Sequence, residues 1–319
     1  MAKKKKENDI VTDGSRAITK FHVSDVVMVV ILVILCATCV VPFIHLLAKS
    51  VSSNTAVLAK RVSFWPIGFN LDAYTSIFED GSMVSSFLCS VIVTLVFTLM
   101  GMIACTCAAY PLSRKRLKGR TFFTFILMFP MYFSAGLIPT YLLYSDLHML
   151  DTVWVLILPL IYAPYNMLIM KTYFQSNIPD SLEEAAFLDG ATNFQIIWKI
   201  VLPLSKPILA TLSLFYAVGR WNAYADNKYY IRSEGLKMVQ YKLSQLVSSA
   251  SEAQTAQLSG EVVVTSTPEV LQAACIMFVT IPIICVYPFL QKYFVKGVMI
   301  GAVTVSYTHL RAHETGAYL

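Results

Sequence analysis

Six stretches of the chain are continuously apolar: residues 26–48, 83–110, 121–144, 152–170, 207–225 and 270–289. A hydrocarbon core of about 30 Å needs about 20 helical residues at 1.5 Å rise each, and every one of these runs meets or approaches that length. The pattern therefore predicts an all-α integral membrane protein with six transmembrane helices. The part of the chain before the first run is long for a signal peptide and no small-residue cleavage pattern follows it, so the first helix is read as retained.

The segment between the fourth and fifth runs breaks the pattern. From Glu183 to Leu204 it reads EEAAFLDGATNFQIIWKIVLPL. Ser181 with Glu184, or Asp180 with Glu183, has the spacing of a capping box directly after Pro179, so a short helix is predicted to start there. Ala185 and Ala186 are small enough to admit a partner surface close to the backbone, and Gly190 suits the left-handed turn that ends a helix. Thr192 and Gln195 form a second capping box. Phe194, Ile197, Trp198 and Val201 follow at helical spacing and predict an apolar stripe laid on the base of the bundle, with Asn193, Gln195 and Lys199 facing water. Pro203 and Pro207 then turn the chain into the fifth run. On these grounds alone the segment is a helix, a glycine turn and an amphipathic helix, and a passive interfacial hairpin accounts for it as well as a docking element does.

Composition agrees with the membrane assignment: 56% of residues are hydrophobic and 14% charged, and the mean hydropathy is +0.62. The formal charge of +6 is clustered beside the apolar runs, which marks topology and not a nucleic-acid footprint. Of the Lys and Arg residues, six lie in the tail 1–25 and five in the loop 114–120. This bias places both termini, that loop and the segment 178–206 on the cytoplasmic side. On the other side lie the stretch SFWPIGFN, expected to form an ordered interfacial turn, and a polar loop at 226–268 that reads either as a docking arm or as a disordered connection. The seven cysteines lie in apolar runs and suit packing better than disulfides or zinc.

Candidate chemistry is sparse. An ATPase would carry G-x-x-x-x-G-K-[ST], and the sequence has no Gly-Lys pair. An ion-coupled carrier would place acids within its spans, and the first four runs hold none; His45 near the end of the first is read as interfacial. Glu183 and Glu184 are adjacent and diverge on a helix, which argues against paired acid–base work, and both are expected to face the cytoplasm. Arg220 lies at the end of the fifth run beside Trp221 and Asn222. It either snorkels to the interface or sits with Asn222 in a translocation path. Tyr165 and Asn166 in the fourth run, with Trp154 and Tyr162, can stack on and hydrogen-bond a sugar, or can simply pack.

Glu184-Ala185-Ala186, Gly190, Ile200, Leu202 and Pro203 together match the pattern EAA-x3-G-x9-I-x-LP, and on it the chain resembles the permeases of ABC importers. LPLSKPILATLSLFYAVGRWNAY and VYPFLQKYFVKGVMIGAV resemble the carbohydrate-uptake, maltose-type branch. The resemblance runs to about Val303 and implies a type I importer permease fold over 26–296, with the EAA segment at 178–206 as a cytoplasmic coupling hairpin between helices 4 and 5. It implies that Glu184, Ala185, Ala186, Asp189 and Gly190 meet a separate ATPase subunit, which binds ATP and Mg, while this chain is non-catalytic and binds no cofactor. The implied partners are a homologous second permease, two ATPase subunits, an extracytoplasmic solute-binding lipoprotein, membrane lipid, and a sugar or oligosaccharide. A peptide or polyamine cargo, or a self-sufficient carrier or channel, are the alternative readings. Within the tail 297–319, residues 304–319 leave the family pattern and are read as a non-native extension.

Overall fold

The structure is a computed structural model that describes residues 23–258, 269–285 and 288. The expectations for most of the basic tail, for the last part of the loop at 226–268 and for the tail at 297–319 fall outside the described residues. In chain order the helices are α1 (Val23–Ser50), α2 (Asn54–Leu58), α3 (Asp72–Asp80), α4 (Ser82–Ser113), α5 (Arg120–Met128), α6 (Leu137–Asp146), α7 (Val153–Ile157), α8 (Pro164–Asn177), α9 (Asp180–Leu188), α10 (Asn193–Ile196), α11 (Leu202–Leu204), α12 (Lys206–Asn222), α13 (Ala225–Tyr230) and α14 (Val239–Leu258). A further helix, α15 (Glu269–Cys285), follows. No strand occurs among the described residues.

The chain falls into two compact units, Met1–His45 and Leu46–Leu319. The described part of the first is helix α1 up to His45, within a stretch of mean hydropathy 3.1. Such a helix has no polar face to present to water, so its length and composition suit a bilayer span.

The second unit is organised around α4, which at 32 residues is about 48 Å long. One face of it packs against α8 and α12. Phe97, Cys105 and Tyr110 from α4, Met167, Met170 and Phe174 from α8, and Leu212 and Tyr216 from α12 form a buried core. Gly101 lets α12 come close: a Cβ there would lie 2.7 Å from a ring carbon of Tyr216, so glycine is the residue that fits this crossing. Toward the Ser82 end, Ile77, Met83, Val239, Ala274 and Val279 form a second cluster, uniting α3, α4, α14 and α15.

Among the described residues two helices are long and apolar enough to span a membrane, Asp25–Ser50 and Ser82–Ser113. The third and fourth runs are broken or bent, and the fifth and the described part of the sixth form the shorter helices α12 and α15. The run at 121–144 is interrupted after a short turn at Phe129–Met131, and α6 resumes after Gly136, whose φ is 86°. Pro130 is the physical cause, because it withholds a backbone donor and clashes with the preceding turn. The run at 152–170 is a pair of helical pieces, Val153–Leu160 and Pro164–Asn177, bent by 47°. The fifth run begins as α12, which leaves the preceding helical piece Asn193–Leu204 at 84°.

The SFWPIGFN stretch is ordered. Ser53 N–H donates to the Ile67 carbonyl at 3.0 Å, Asn70 N–H to the Val51 carbonyl at 2.9 Å, and Ile67 N–H to Ser52 Oγ at 3.1 Å. These bonds pin the loop to the chain just beyond α1 and leave Trp65 83% exposed.

Candidate functional site

Helix α9 starts at Asp180 after Pro179, as its sequence predicts, but without a side-chain cap. Of the three acids proposed for capping, Glu184 is exposed, and Asp180 and Glu183 are used elsewhere. Glu183 is 3% exposed, and its Oε1 lies 2.8 Å from Arg114 Nη2. The two atoms meet off the N–H direction, so this is a charge contact more than an aligned hydrogen bond. Arg114 Nη1 donates to the Ile178 carbonyl at 3.1 Å and reaches Asp180 Oδ1 at 3.3 Å. Its guanidinium also lies 5.4 Å from the Tyr110 ring centroid. The expectation that both glutamates face the cytoplasm is therefore corrected for Glu183. A carboxylate can be buried there because an equally buried arginine compensates it, and removing one partner of such a pair costs about 3–5 kcal/mol.

The faces of α9 follow from this anchor. Glu183 and Ala186 point inward at i and i+3, while Glu184, Ala185, Leu188 and Asp189 are exposed. Ala186 is 9% exposed and belongs to the core with Phe174 and Ile178, so it seats the helix on the bundle and does not offer room to a partner. That corrects the pairing of Ala185 with Ala186 as one accessible surface. Leu188, at 90% exposure, is a projecting residue that the sequence motif does not mark. Its signal was available, since it lies four residues beyond Glu184 on the same face.

Gly190 ends the helix with φ at 81°. Ala191 N–H donates to the Ala186 carbonyl at 2.9 Å and Gly190 N–H to that of Phe187 at 3.0 Å, the paired bonds of a Schellman turn. The second capping box is present: Thr192 N–H donates to Gln195 Oε1 at 2.9 Å, and Gln195 N–H to Thr192 Oγ1 at 3.3 Å. Beyond it the expected stripe holds only in part: Val201 is fully buried and Ile197 packs on the core, but Phe194 and Trp198 are 72% and 66% exposed, and Ile196, outside the stripe, is fully buried. Only one α-turn forms before a π-helical turn over Ile197–Val201, and the wider turn moves each later side chain out of α-helical phase. The two rings stack on each other at 6.3 Å and 10°.

A second cluster gathers at the other end of α12. Arg220 is 2% exposed, its Nη1 lies 2.8 Å from Asp226 Oδ2, and Nη2 approaches Met238 Sδ at 3.6 Å. This corrects the snorkelling expectation, because the guanidinium is turned into the protein and holds α13. Asn227 continues the tie: its Nδ2 donates to the Leu236 carbonyl at 2.9 Å, and its Oδ1 accepts from Met238 N–H at 3.2 Å. Val239 N–H donates to Ser90 Oγ on α4 at 2.7 Å. The first half of the 226–268 loop is thus a knitted helical arm. Asp151, with φ at 56°, clasps it from the side, accepting from Arg232 N–H and Ser233 N–H, each at 2.8 Å. The Ser233 hydroxyl and these two amides hold the Asp151 carboxyl below its ordinary range. Asn222 is exposed beside this cluster. Tyr165 is 58% exposed and Asn166 8%, so the structure does not bring the four candidate path residues together on one surface. Among the described residues no group of His, Cys, Asp and Glu is arranged to hold a metal.

Residues 98–300 match the family described as binding-protein-dependent transport system inner membrane component. The chain is 42% identical to the polygalacturonan/rhamnogalacturonan transport system permease protein YtcP of Bacillus subtilis (strain 168), over 83% of this chain and 92% of that protein. It is 37% identical to Protein LplC of the same organism, over 84% and 90%. A chain in the crystal structure of a bacterial ABC transporter involved in the import of the acidic polysaccharide alginate superposes with a TM-score of 0.79 at 34% identity, covering 86% of this chain and 99% of that one.

Proposed function

Because the chain belongs to the family of binding-protein-dependent transport system inner membrane components, we propose that it is one permease subunit of an ATP-driven ABC importer whose cargo is a sugar or oligosaccharide. Its place is the bacterial cytoplasmic membrane, where a homologous permease completes the pathway, two ATPase subunits dock below, and a solute-binding lipoprotein delivers cargo from outside. ATP and Mg belong to the ATPase, and this chain transmits motion without catalysis. The six apolar runs and the Lys/Arg bias support six spans over 26–296 with both termini in the cytoplasm. The bends and breaks in the runs suit helices that line a path, where irregular backbone is tolerated.

The observation that carries the proposal is the outward face of α9. A helix riveted to its own bundle by a buried ion pair leaves Leu188 90% exposed, flanked by Glu184, Ala185 and Asp189 and closed by the turn at Gly190. A rigid helix with one projecting apolar residue and an acidic rim suits insertion into a cleft with a basic edge. This supports the segment 178–206 as the coupling hairpin. Cargo is supported by the names of the relatives, two of which handle polygalacturonan and alginate, so uronate oligomers are the first to test. Of the path candidates, Tyr165 and Asn222 have free surface for a sugar; Arg220 and Asn166 act through the shape they hold.

Co-purification of the ATPase with the tagged permease tests the docking reading. Leu188→Asp should abolish it with the fold intact, since the side chain makes little intrachain contact. Gly190→Pro should do the same, because proline cannot adopt a positive φ. Undiminished ATPase recovery with both variants would overturn the assignment.

A further inference from the structure

Arg114 and Arg116 stand together just beyond the Ser113 end of α4, and between them they touch the start of the 178–193 segment, the inner face of α9 and Asn193. Arg114 holds its beginning, through the Ile178 carbonyl at 3.1 Å, and the inner face of α9, through Glu183 at 2.8 Å. Arg116 approaches the other oxygen of Glu183 at 3.7 Å and lies 4.6 Å from the Phe187 ring centroid. Its Nη2 donates to Asn193 Oδ1 at 3.0 Å, across the glycine turn. Gln175 on α8 adds a bond to the Ser113 carbonyl at 3.3 Å.

The other end of α4 is tied as well. Met83 packs with Val239, Ser90 Oγ accepts from Val239 N–H at 2.7 Å, and at mid-helix the Phe97 ring centroid lies 5.5 Å from the Arg220 guanidinium that holds α13. A single unbroken helix of 32 residues thus joins α9 at one end to the α13–α14 arm at the other. Among the described residues every other apolar run after α1 and α4 is either broken, bent or shorter.

We propose that Arg114 and Arg116 form a two-arginine clamp on Glu183 that makes α9 and α4 move as one body, so that displacement of α9 by the ATPase is delivered along α4 to the arm on the opposite side. The inference rests on the reading of α9 as the ATPase-docking helix. It assigns to Glu183 a positioning role distinct from the docking role of its neighbour Glu184. A charge pair is suited to this because separating it leaves each charge uncompensated in a low-dielectric interior, so displacement of one helix without the other is resisted. Coupling through such a link requires that the two ends respond together, which can be measured.

The test uses the whole importer in nanodiscs, with its ATPase and binding protein, and a benzoylphenylalanine photo-cross-linker at Ser181, exposed on α9 beside the docking residues, to report docking. Glu183→Gln keeps shape and removes charge. The double variant Arg114→Leu with Glu183→Leu removes the pair without stranding a buried charge. Both should cross-link to the ATPase as the parent does, yet lose about tenfold of the stimulation of ATP hydrolysis by cargo-loaded binding protein, within the range that mutations along a coupling route produce. Normal stimulation with normal cross-linking in the double variant would overturn the clamp. Parallel loss of cross-linking and stimulation in both variants would also overturn it, by showing that the pair only preserves the shape of α9. Should the parent fail to cross-link to the ATPase, the docking reading itself fails and the clamp falls with it.

Discussion

The contact between α4 and α12 gives a magnitude that can be worked from geometry. A Cβ at Gly101 would lie 2.7 and 2.8 Å from Tyr216 Cε1 and Cδ1, and 3.2 Å from Cζ. Ordinary carbon contacts begin at about 3.5 Å, so the ring must retreat by close to 1 Å. It has little room, being 3% exposed and packed on Phe97 with ring centroids 5.8 Å apart. Overpacking costs about 1–3 kcal/mol, and a contact under 3.0 Å against a buried ring belongs in the upper half of that range, about 2–3 kcal/mol. Replacing a helical glycine by alanine returns up to about 1 kcal/mol. Gly101→Ala is therefore expected to destabilise by about 1–2 kcal/mol, read as a fall of a few degrees in the melting temperature of the detergent-solubilised protein. Tyr216→Leu should remove the clash, so adding Gly101→Ala to that background should cost nothing or stabilise slightly. A Gly101→Ala protein that melts at or above the parent temperature, or a cost that persists beside Tyr216→Leu, would refute the close-packing argument.

Two further predictions concern the ends of the bundle. The Asp151 carboxyl is held below its ordinary value of 3.8 by the Ser233 hydroxyl and the amides of Ser233 and Arg232, with the Arg232 charge adding to them. A depressed folded-state value means that the tie contributes fully above the unfolded value and is lost as pH falls through the lower folded one. Protection of the Arg232 and Ser233 amides from hydrogen exchange should accordingly persist at pH 4 and collapse only below it, while Asp151→Ala should abolish it at every pH; protection unaffected by Asp151→Ala would sink the idea. At the opposite end, Asn193–Leu204 lies at 84° to α12. If α12 crosses the bilayer this piece runs along its surface, and Trp198, 66% exposed, belongs at headgroup level. In a protein with Trp65, Trp154 and Trp221 replaced by Phe, lipids brominated near the headgroup should quench Trp198 more than lipids brominated near the chain end. Absence of quenching by either lipid is the refuting result.

What could be read from the chain divides by the range of the interaction involved. Gly190 and the Thr192–Gln195 box were legible because a left-handed turn and a reciprocal cap are decided within a few residues. The apolar runs likewise announced helices, but not their straightness: Pro130 lay inside a run whose hydropathy concealed it, although its missing donor predicts the break that α5 and α6 show. The stripe failed at Phe194 and Trp198, which share a face and stack on each other while Ile196 and Val201 carry the burial; the π-helical turn at Ile197–Val201 breaks the constant period that joined them to Val201. Glu183 failed for a different reason. Its hydropathy and its exposed neighbour Glu184 both argue for solvent, and only an arginine from the far side of α5–α8 in the chain tips the balance toward burial. Arg220 repeats the lesson, since its burial depends on Asp226 and Met238, which the hydropathy window around α12 does not weigh. Buried charges are thus where sequence reasoning should be expected to err, because burying one is unfavourable until a partner is found. It follows that the same positions are informative once the fold is known: the buried Glu183, through Arg114, and the buried Arg220 are what hold α9 and α13 to the central helices. A chain built only for passive packing would have had no need of either charge, since apolar residues of similar volume serve a static core as well or better.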